Sequence, residues 1–289
     1  MTICNEPQAW HQARDIARQL GIDNQKWQQV STCSYYSAGP NPLLVKVVPA
    51  RQHVRLEAEE KMLAMLANQG IAVARQLEKG QDDQWHWSVL QLSGPSLASQ
   101  PRAPLFAAAG KMLAEMHKLS YPHRGCFNAD LTVNHANVFS SGELHNALEI
   151  LRERELIDDI TSRRWEEIDA DGLFPGDAVF CHGSFSPATL WARKDDQVEL
   201  GCLEWACAGP AVSDLATMDL TCRLTDNSRF LDSFFDGYGS PDPGWLSRME
   251  FYRFYALCLM LAFDQQPWIA RETLIQRLNW YTKERALLG

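Results

Sequence analysis

The chain has 289 residues, of which 46% are hydrophobic and 22% are charged, and its net charge is −9. This composition is typical of a globular protein that is large enough to bury its own core. The acidic balance argues against a nucleic-acid partner, because no surplus of basic side chains is available to neutralise phosphates. No stretch approaches the run of about eighteen apolar residues that would span a membrane.

Neither a targeting segment nor a cysteine framework is evident in the sequence. Residues 1–19 are polar and lack the basic and apolar regions of a secretory signal, so a cytoplasmic location is expected. The eight cysteines are scattered and form no Cys-x-x-Cys pair, and the spacing of Cys202 and Cys207 does not fit a zinc site. Because free cysteine packs as a small hydrophobic residue, we expect buried thiols.

The first part of the sequence predicts a helix, a β-hairpin and a second helix. Apolar residues at helical spacing predict a helix over Pro7–Leu20. Two strand-like segments, Gln28–Tyr36 and Leu43–Val48, flank the sequence SAGPNP, which predicts a tight turn. Arg55–Asn68 has an apolar stripe and is followed by Gly70, which predicts a strong helix.

The remainder of the chain predicts one more strand and then mainly helices. Trp85–Leu92 alternates as a strand does, whereas Phe127–Ser141 is polar and irregular. Helices are predicted over the ranges Leu105–Leu119, Leu144–Ile168, Arg248–Phe263 and Arg271–Leu288. The many charges of the second of these helices are interpreted as a solvated surface.

The polar groups best suited to chemistry are concentrated in residues 179–215. Short apolar runs alternate there with Gly, Pro and Ser, which predicts buried strands joined by loops. The first run ends in His182 and Gly183, the second contains Glu204, and Asp214 follows a Gly-Pro turn. The pattern predicts a loop held between packed segments, with a few polar side chains facing one place.

This order of motifs resembles the aminoglycoside phosphotransferase and choline kinase family, which shares the protein-kinase-like fold. The family has a catalytic loop H-G-D-x-x-x-x-N, a metal-binding turn [IV]-D-W and then the segment G-x-x-x-x-D-L-A. Here the corresponding segments are HGSFSPAT at 182–189, LEW at 203–205 and GPAVSDLA at 209–216. The resemblance extends from about Trp27 to Tyr252.

The resemblance implies an α+β fold of two lobes. A small α/β lobe is expected over residues 1–92, and a mainly helical lobe is expected over residues 93–289, with the boundary near Ser93. The helix over Leu105–Leu119 is similar to the family's L-x-x-L-H segment. This similarity makes His117 a core histidine rather than a ligand.

The resemblance also implies a phosphate-binding lysine and its acidic partner in the first lobe. Lys46 is a lone charge in the apolar sequence LLVKVV and matches the lysine that binds nucleotide phosphates. Glu59 matches the helical glutamate that pairs with it, and Glu57 and Glu60 are rivals for that position. The alternative interpretation is a lysine on an edge strand and an acidic face exposed to water.

Two further features concern nucleotide binding. The segment 90–94, with Gln91 and Leu92, resembles the hinge whose backbone groups bind an adenine ring. The turn at 37–42 corresponds to the loop that covers the nucleotide phosphates in kinases, but it has a single glycine, Gly39, and two prolines that have no N–H to donate. The phosphate lid is therefore expected to be shortened or absent.

Three positions of the motifs depart from the family. Ser184 stands where the family has its catalytic Asp, Thr189 where it has a metal-binding Asn, and Glu204 where it has a metal-binding Asp. His182 and Asp214 are retained, and in the family these residues mainly brace the loop. A serine hydroxyl is not a base at neutral pH, and general-base assistance is worth about 10²–10⁴-fold in rate.

The sequence therefore leaves three functional hypotheses. The leading one is a pseudokinase whose inter-lobe cleft binds a small molecule, a nucleotide or a protein partner. The alternative is an ATP- and Mg²⁺-dependent transferase acting on a small hydroxyl compound or moving another part of the nucleotide, with Thr189 and Glu204 as metal ligands. The third is a scaffold in a larger assembly. The expected cofactors are accordingly ATP with Mg²⁺, or none.

A nucleophilic pair of His182 and Ser184 is disfavoured, because no G-x-S-x-G turn surrounds the serine.

Overall fold

The computed structural model describes residues 7–22, 26–31, 33–39, 41–134, 141–166, 178–239 and 243–283. The first lobe is built on a five-stranded antiparallel sheet with the order β1-β2-β3-β5-β4. Its strands are β1 (Lys26–Ser31), β2 (Ser34–Ala38), β3 (Leu43–Pro49), β4 (Arg75–Gln81) and β5 (Trp85–Gln91). Its helices are α1 (Pro7–Gln19) and α2 (His53–Asn68), the latter preceded by a 3₁₀ turn at Ala50–Gln52.

Strand β3 separates the two faces of this sheet. Successive side chains of a strand point to opposite faces, and Val45 and Val47 join the apolar cluster that includes Ala13 of α1. Leu44 instead joins the large core cluster that continues into the second lobe, and Lys46 shares its face. The alternation therefore turns the lone lysine of β3 toward α2 and the cleft.

The sequence prediction for the start of the sheet was wrong in one respect. Gln28–Tyr36 was expected to be one strand, but it is divided into β1 and β2, which pair antiparallel with Ser31 opposite Ser34. The division was missed because the turn between these serines contains neither Gly nor Pro. The expected turn at 37–42 does join β2 to β3, with Ser37 opposite Leu43, although Pro40 lies outside the described residues.

The second lobe is mainly helical. Its helices are α3 (Ala103–Met116), α4 (Ser141–Glu153), α5 (Asp159–Glu166), α6 (Ala211–Leu224), α7 (Leu231–Tyr238), α8 (Pro243–Phe263) and α9 (Arg271–Lys283). Helix α8 packs against α4, α6 and α9, and α3 packs against α7. Short 3₁₀ turns occur at Lys194–Asp196 and Ser228–Phe230.

Two small sheets support the motif loops. One is antiparallel with the order β6-β9-β12-β7-β8, formed by Ser120–Tyr121, Ala178–Cys181, Cys207–Gly209, Gly125–Phe127 and Val133–Asn134. The other is a ribbon of β10 (Leu190–Ala192) and β11 (Val198–Leu200). The segment Phe127–Ser141, expected to be irregular, thus contributes a short edge strand, and residues 135–140 lie outside the described chain.

The prediction of a single helix over Leu144–Ile168 was also wrong. It is interrupted between α4 and α5, where Glu155 has a φ of 56°. Asp158 then accepts a hydrogen bond from the N–H of Thr161 at 2.7 Å, as an N-cap residue does. A second helix therefore begins there; residues 167–168 of the prediction lie outside the described chain.

The broader expectations are met. The antiparallel first lobe and the helical second lobe confirm the predicted α+β architecture, while the boundary near Ser93 stays a prediction. None of the seven cysteines in the described residues forms a disulfide, and six of them are buried, as expected; Cys4 lies outside the described residues. Among the described helices, none is long and apolar enough to cross a membrane.

Candidate functional site

The first motif loop is braced by one buried carboxylate. Asp214, in the first turn of α6, is fully buried. It accepts hydrogen bonds from the N–H groups of His182 at 2.7 Å and Gly183 at 2.9 Å. Gly183 has a φ of +76°, and a Cβ at this position would lie 1.9 Å from the carbonyl oxygen of Trp205. The loop at 182–189 and the turn at 203–205 are therefore in direct backbone contact, which only glycine allows.

His117 belongs to the same brace. Its Nε2 lies 3.3 Å from Asp214 Oδ2, and its Nδ1 lies 2.9 Å from the Tyr238 hydroxyl. Cys181 places a third ligand atom close enough to form a metal site with this pair. Both oxygens of Asp214 already accept backbone N–H groups, however, so the cluster serves to hold the loop and His117 is a core histidine, as expected.

Lys46 and Glu59 form a buried ion pair. The Lys46 ammonium donates to Glu59 Oε1, and the side chains are 2% and 3% exposed. The same oxygen accepts the N–H of Leu203, which directly precedes Glu204. The rivals are excluded as partners, since Glu57 is exposed and Glu60 binds Gln76 and Lys79.

The pKa of Lys46 reflects this environment. Burial alone would lower it, but attraction to Glu59 and Glu204 raises it above the usual value. Lys46 is therefore charged at neutral pH. It is one ammonium beside two carboxylates, which leaves this part of the cleft with a negative balance.

Glu204 is held by the first hairpin of the chain. Ser31 donates its hydroxyl to Glu204 Oε2 at 2.6 Å, and Ser34 donates its hydroxyl to Oε1. Both serines are buried. Because Ser31 ends β1 and Ser34 begins β2, the β1–β2 hairpin closes directly over the turn that carries Glu204. Hydrogen bonds to a carboxylate are among the stronger ones in proteins.

Ser184 is held by a glutamine from the end of the helical lobe. Gln266 Nε2 donates to Ser184 Oγ at 2.6 Å, and Gln266 Oε1 accepts the hydroxyl of Ser186 at 3.2 Å and the indole N–H of Trp268 at 2.5 Å. Ser184 and Gln266 are both buried. The position of the family's catalytic carboxylate is thus occupied by a neutral, internally satisfied hydroxyl.

His182 does not activate this serine. The contact between them runs from the backbone N–H of Ser184 to His182 Nδ1, at 3.3 Å. Burial lowers the pKa of His182 to about 4, so the ring is neutral at pH 7 and its remaining proton lies on Nε2. The structure therefore offers no nucleophilic pair here.

Thr189 is directed into its own loop. Its hydroxyl lies 3.2 Å from the Ser184 carbonyl, 3.1 Å from the Ser186 carbonyl and 3.2 Å from the Ser186 N–H. The side chain is 1% exposed. Thr189 and Glu204, the two predicted metal ligands, share no hydrogen-bond partner among the described residues, and each is engaged elsewhere.

The hinge backbone is also occupied by the protein itself. The N–H of Leu92 donates to the carbonyl of Pro42 at 2.9 Å. The N–H and hydroxyl of Ser93 donate to the buried carboxylate of Glu199 at 2.5 and 2.8 Å. Gln91 pairs within the sheet, and its side chain accepts from Arg75 at 2.6 Å.

Trp191 fills the space next to the hinge. It forms a β-bridge with Ser96, is fully buried, and lies 6.3 Å from Tyr36 of β2 between ring centroids. A Cβ at Gly201 would lie 2.9 Å from the Trp191 ring and 3.0 Å from Leu44. The indole therefore packs between the ribbon of the second lobe and the sheet of the first.

Comparison with known proteins identifies the same family as the motifs. The sequence profile of the phosphotransferase enzyme family matches residues 18–251. The chain belongs to this family.

Solved structures share the fold of this family member. It is similar to the aminoglycoside phosphotransferase APH(3'')-Id from Streptomyces rimosus, at 18% identity over 87% of this chain and 97% of that one, with a TM-score of 0.61. It is also similar to a putative fructosamine-3-kinase from Thermobifida fusca, at 19% identity over 96% and 98% of the two chains, with a TM-score of 0.60. An aminoglycoside-3'-phosphotransferase of type VIII gives 20% identity, 85% and 98% coverage and a TM-score of 0.56.

At such identities the likeness shows the fold alone, and it confirms the expected protein-kinase-like architecture. A search of curated proteins found no match.

Four residues that hold this family member's cleft were not found from the sequence. They are Ser31, Ser34, Glu199 and Gln266, and they act at sequence separations of 173, 170, 106 and 82 residues. Contacts at such distances leave no periodic pattern. The one available signal was the polar pair at 265–266, which follows a long apolar helix and is unusual for a buried position.

Proposed function

We propose that this member of the phosphotransferase family is a pseudokinase that does not transfer phosphate from ATP. The observation that carries the proposal is the hydrogen bonding of Glu204 to Ser31 and Ser34. The carboxylate at the family's metal position is used to close the cleft. Its expected role is to bind a small molecule or a protein partner between the lobes, and we expect it to act in the cytoplasm.

The residues present do not fit a magnesium ion at this position. Magnesium prefers oxygen ligands in near-octahedral geometry. Each oxygen of Glu204 accepts a serine hydroxyl, and the hydroxyl of Thr189 is surrounded by its own loop. A metal at Glu204 would have to share both carboxylate oxygens with the serine hydroxyls of the β1–β2 hairpin, which is part of the first-lobe sheet.

The absence of a carboxylate at position 184, where the family has its catalytic base, also supports the pseudokinase proposal. Ser184 cannot take a proton from an acceptor hydroxyl, and its oxygen accepts a hydrogen bond from Gln266. With no general base, a rate loss of about 10²–10⁴-fold is expected even if a nucleotide were bound.

The nucleotide side of the cleft supports the proposal independently. The aminoglycoside phosphotransferases APH(3'')-Id and APH(2'')-Ib have been solved in complex with ADP and streptomycin and with ADP, respectively. In this chain the N–H groups of Leu92 and Ser93 already have acceptors, and Trp191 is bridged to Ser96 further along the same segment. An adenine ring would have to compete with these contacts.

Thermal unfolding with and without Mg-ATP tests the proposal. A ligand at a hundred times its Kd stabilises a protein by about 2.7 kcal/mol, which is a shift of several degrees. We expect no shift up to millimolar Mg-ATP, and no release of phosphate from radiolabelled ATP. A magnesium-dependent shift would contradict the proposal.

The second candidate is an ATP-dependent transferase with an atypical site. The buried pair of Lys46 and Glu59, which the family uses at the nucleotide phosphates, favours it because the pair is intact. This candidate requires that Lys46→Ala and Glu204→Ala abolish an activity. If the protein is a pseudokinase, the wild type does not turn over ATP, and the folded Lys46→Ala and Glu204→Ala variants should not differ from it in this respect.

A further inference from the structure

A pocket opens at the outer end of the closed cleft, beside Glu204. Its volume is about 140 Å³, and it lies between helix α2 and the second lobe. Its walls are largely apolar and include Ala58, Met62, Phe127 and Leu259. A cavity of about 150 Å³ accommodates one benzene molecule. The space therefore suits a single six-membered ring.

One polar side chain in this pocket lacks a partner. Gln265 lines the pocket and is only 3% exposed, and no hydrogen bond engages its side-chain amide within the part of the chain that the structure describes. The adjacent Gln266, in contrast, has its amide fully used. Because the protein supplies no partner, the amide is left to form hydrogen bonds with whatever occupies the pocket, either water or a ligand. A ligand that carries both a donor and an acceptor would satisfy it.

The charges around the pocket favour a donor on the ligand. Glu204 forms part of the wall, and each of its oxygens accepts one serine hydroxyl, although a carboxylate offers about four acceptor sites. Because Lys46 is paired with Glu59, it offsets the charge of Glu204 only in part. Arg55 lines the exposed side, where its guanidinium lies 5.9 Å from the Trp205 ring centroid.

We propose that this pocket binds a single-ring aromatic compound with an amide or amidine head group. The ring packs against the apolar walls, and the head group donates to Glu204 and exchanges hydrogen bonds with Gln265. The inference rests on the proposed function in taking this end of the cleft as a ligand site instead of a metal site. No covalent step is involved.

Benzamide, toluene and benzoate are the probes that test it. With ¹³C-methyl methionine labelling, benzamide should shift the Met62 resonance in a saturable manner. Toluene, which has the ring without the amide, should bind at least about tenfold more weakly, because the hydrogen bonds to Glu204 and Gln265 are lost. Benzoate should bind more weakly than toluene, because its charge has the sign of Glu204.

Two variants link the binding to the pocket. Gln265→Leu should reduce the preference for benzamide over toluene, with only the contact to Glu204 remaining, while Gln100→Leu, the same change at an exposed position, should leave the preference intact. Ala58→Leu fills the pocket and should abolish both signals; its thermal unfolding checks that it is folded.

Several outcomes would overturn the inference. It fails if benzamide gives no saturable shift with the wild-type protein, if the folded Gln265→Leu variant keeps the full wild-type preference, or if benzoate binds most tightly. None of these results concerns Mg-ATP binding, so the proposed ligand of the pocket can be refuted while the pseudokinase proposal stands. A magnesium-dependent ATP shift would refute the pseudokinase whatever the probes do.

Discussion

Removal of Lys46 should destabilise the protein strongly even in the absence of a nucleotide. The ammonium is 2% exposed and is the counter-charge of Glu59, with Glu204 nearby. Lys46→Met keeps much of the side-chain volume but leaves a buried carboxylate without its partner. Breaking a buried ion pair in this way costs about 3–5 kcal/mol, which should lower the unfolding temperature by roughly 6–15 °C.

The destabilisation should depend on pH. Burial raises the pKa of Glu59 above its usual value, and Lys46 is the main group that opposes this. In the variant the folded pKa therefore rises further above the unfolded one. A carboxyl group with a raised folded pKa favours folding below its unfolded pKa, and this contribution is lost as the pH rises through the folded pKa. The variant should approach the stability of the wild type near pH 5 and fall furthest below it near pH 8.

Chemical denaturation at several pH values measures both effects, with Lys46→Met/Glu59→Leu as the matched control. The double variant removes both charges, and such replacements of a buried pair are often neutral or stabilising. It should recover most of the loss at pH 8 and show a weaker pH dependence. If Lys46→Met were as stable as the wild type at pH 8, or if the double variant were no better, the proposed buried charge balance would be wrong.

Three further changes test the closed cleft. Replacing both Ser31 and Ser34 by Ala removes two hydrogen bonds to a carboxylate and should destabilise the protein by about 2–4 kcal/mol in urea unfolding; if closure is what excludes magnesium, the double variant should also gain a thermal shift with MgCl₂ that the wild type lacks. Asp214→Asn replaces an acceptor by an amide donor facing backbone N–H groups, and should cost about 2–3 kcal/mol in the same assay. Ser184→Asp combined with Glu204→Asp should not produce ATP hydrolysis measured by phosphate release, because the hinge N–H groups remain occupied.

The parts of the site that could be predicted are those encoded locally. Lys46 stood out as a single charge in an apolar strand, and the alternation of β3 does turn it into the cleft. Glu59 was selected over Glu57 and Glu60 by its offset in the helix, and the ion pair confirms the choice. The brace by Asp214 was implied by the family resemblance, and its hydrogen bonds to the N–H groups of His182 and Gly183 agree with it.

The closure of the cleft could not be predicted because it depends on tertiary contacts. The turn after Ser31 has no glycine or proline, so the hairpin that reaches Glu204 was read as one strand. Nothing in the neighbouring sequence distinguishes Ser31 and Ser34 from other polar strand residues. Gln266 and Glu199 become meaningful only when the end of α8 and the ribbon strand β11 are placed against the loop and the hinge.

The intact ion pair has an explanation that does not involve a nucleotide. Glu59 accepts hydrogen bonds from Lys46 on β3 and from the N–H of Leu203, so one carboxylate joins the sheet, helix α2 and the turn that carries Glu204. As long as Glu204 remains charged to hold the first hairpin, an ammonium is needed nearby. Lys46 would therefore be retained in a protein that binds no phosphate, and its presence does not by itself indicate phosphoryl transfer. The substitutions at 184, 189 and 204 carry more weight, because each places a group whose hydrogen bonds are satisfied inside the protein.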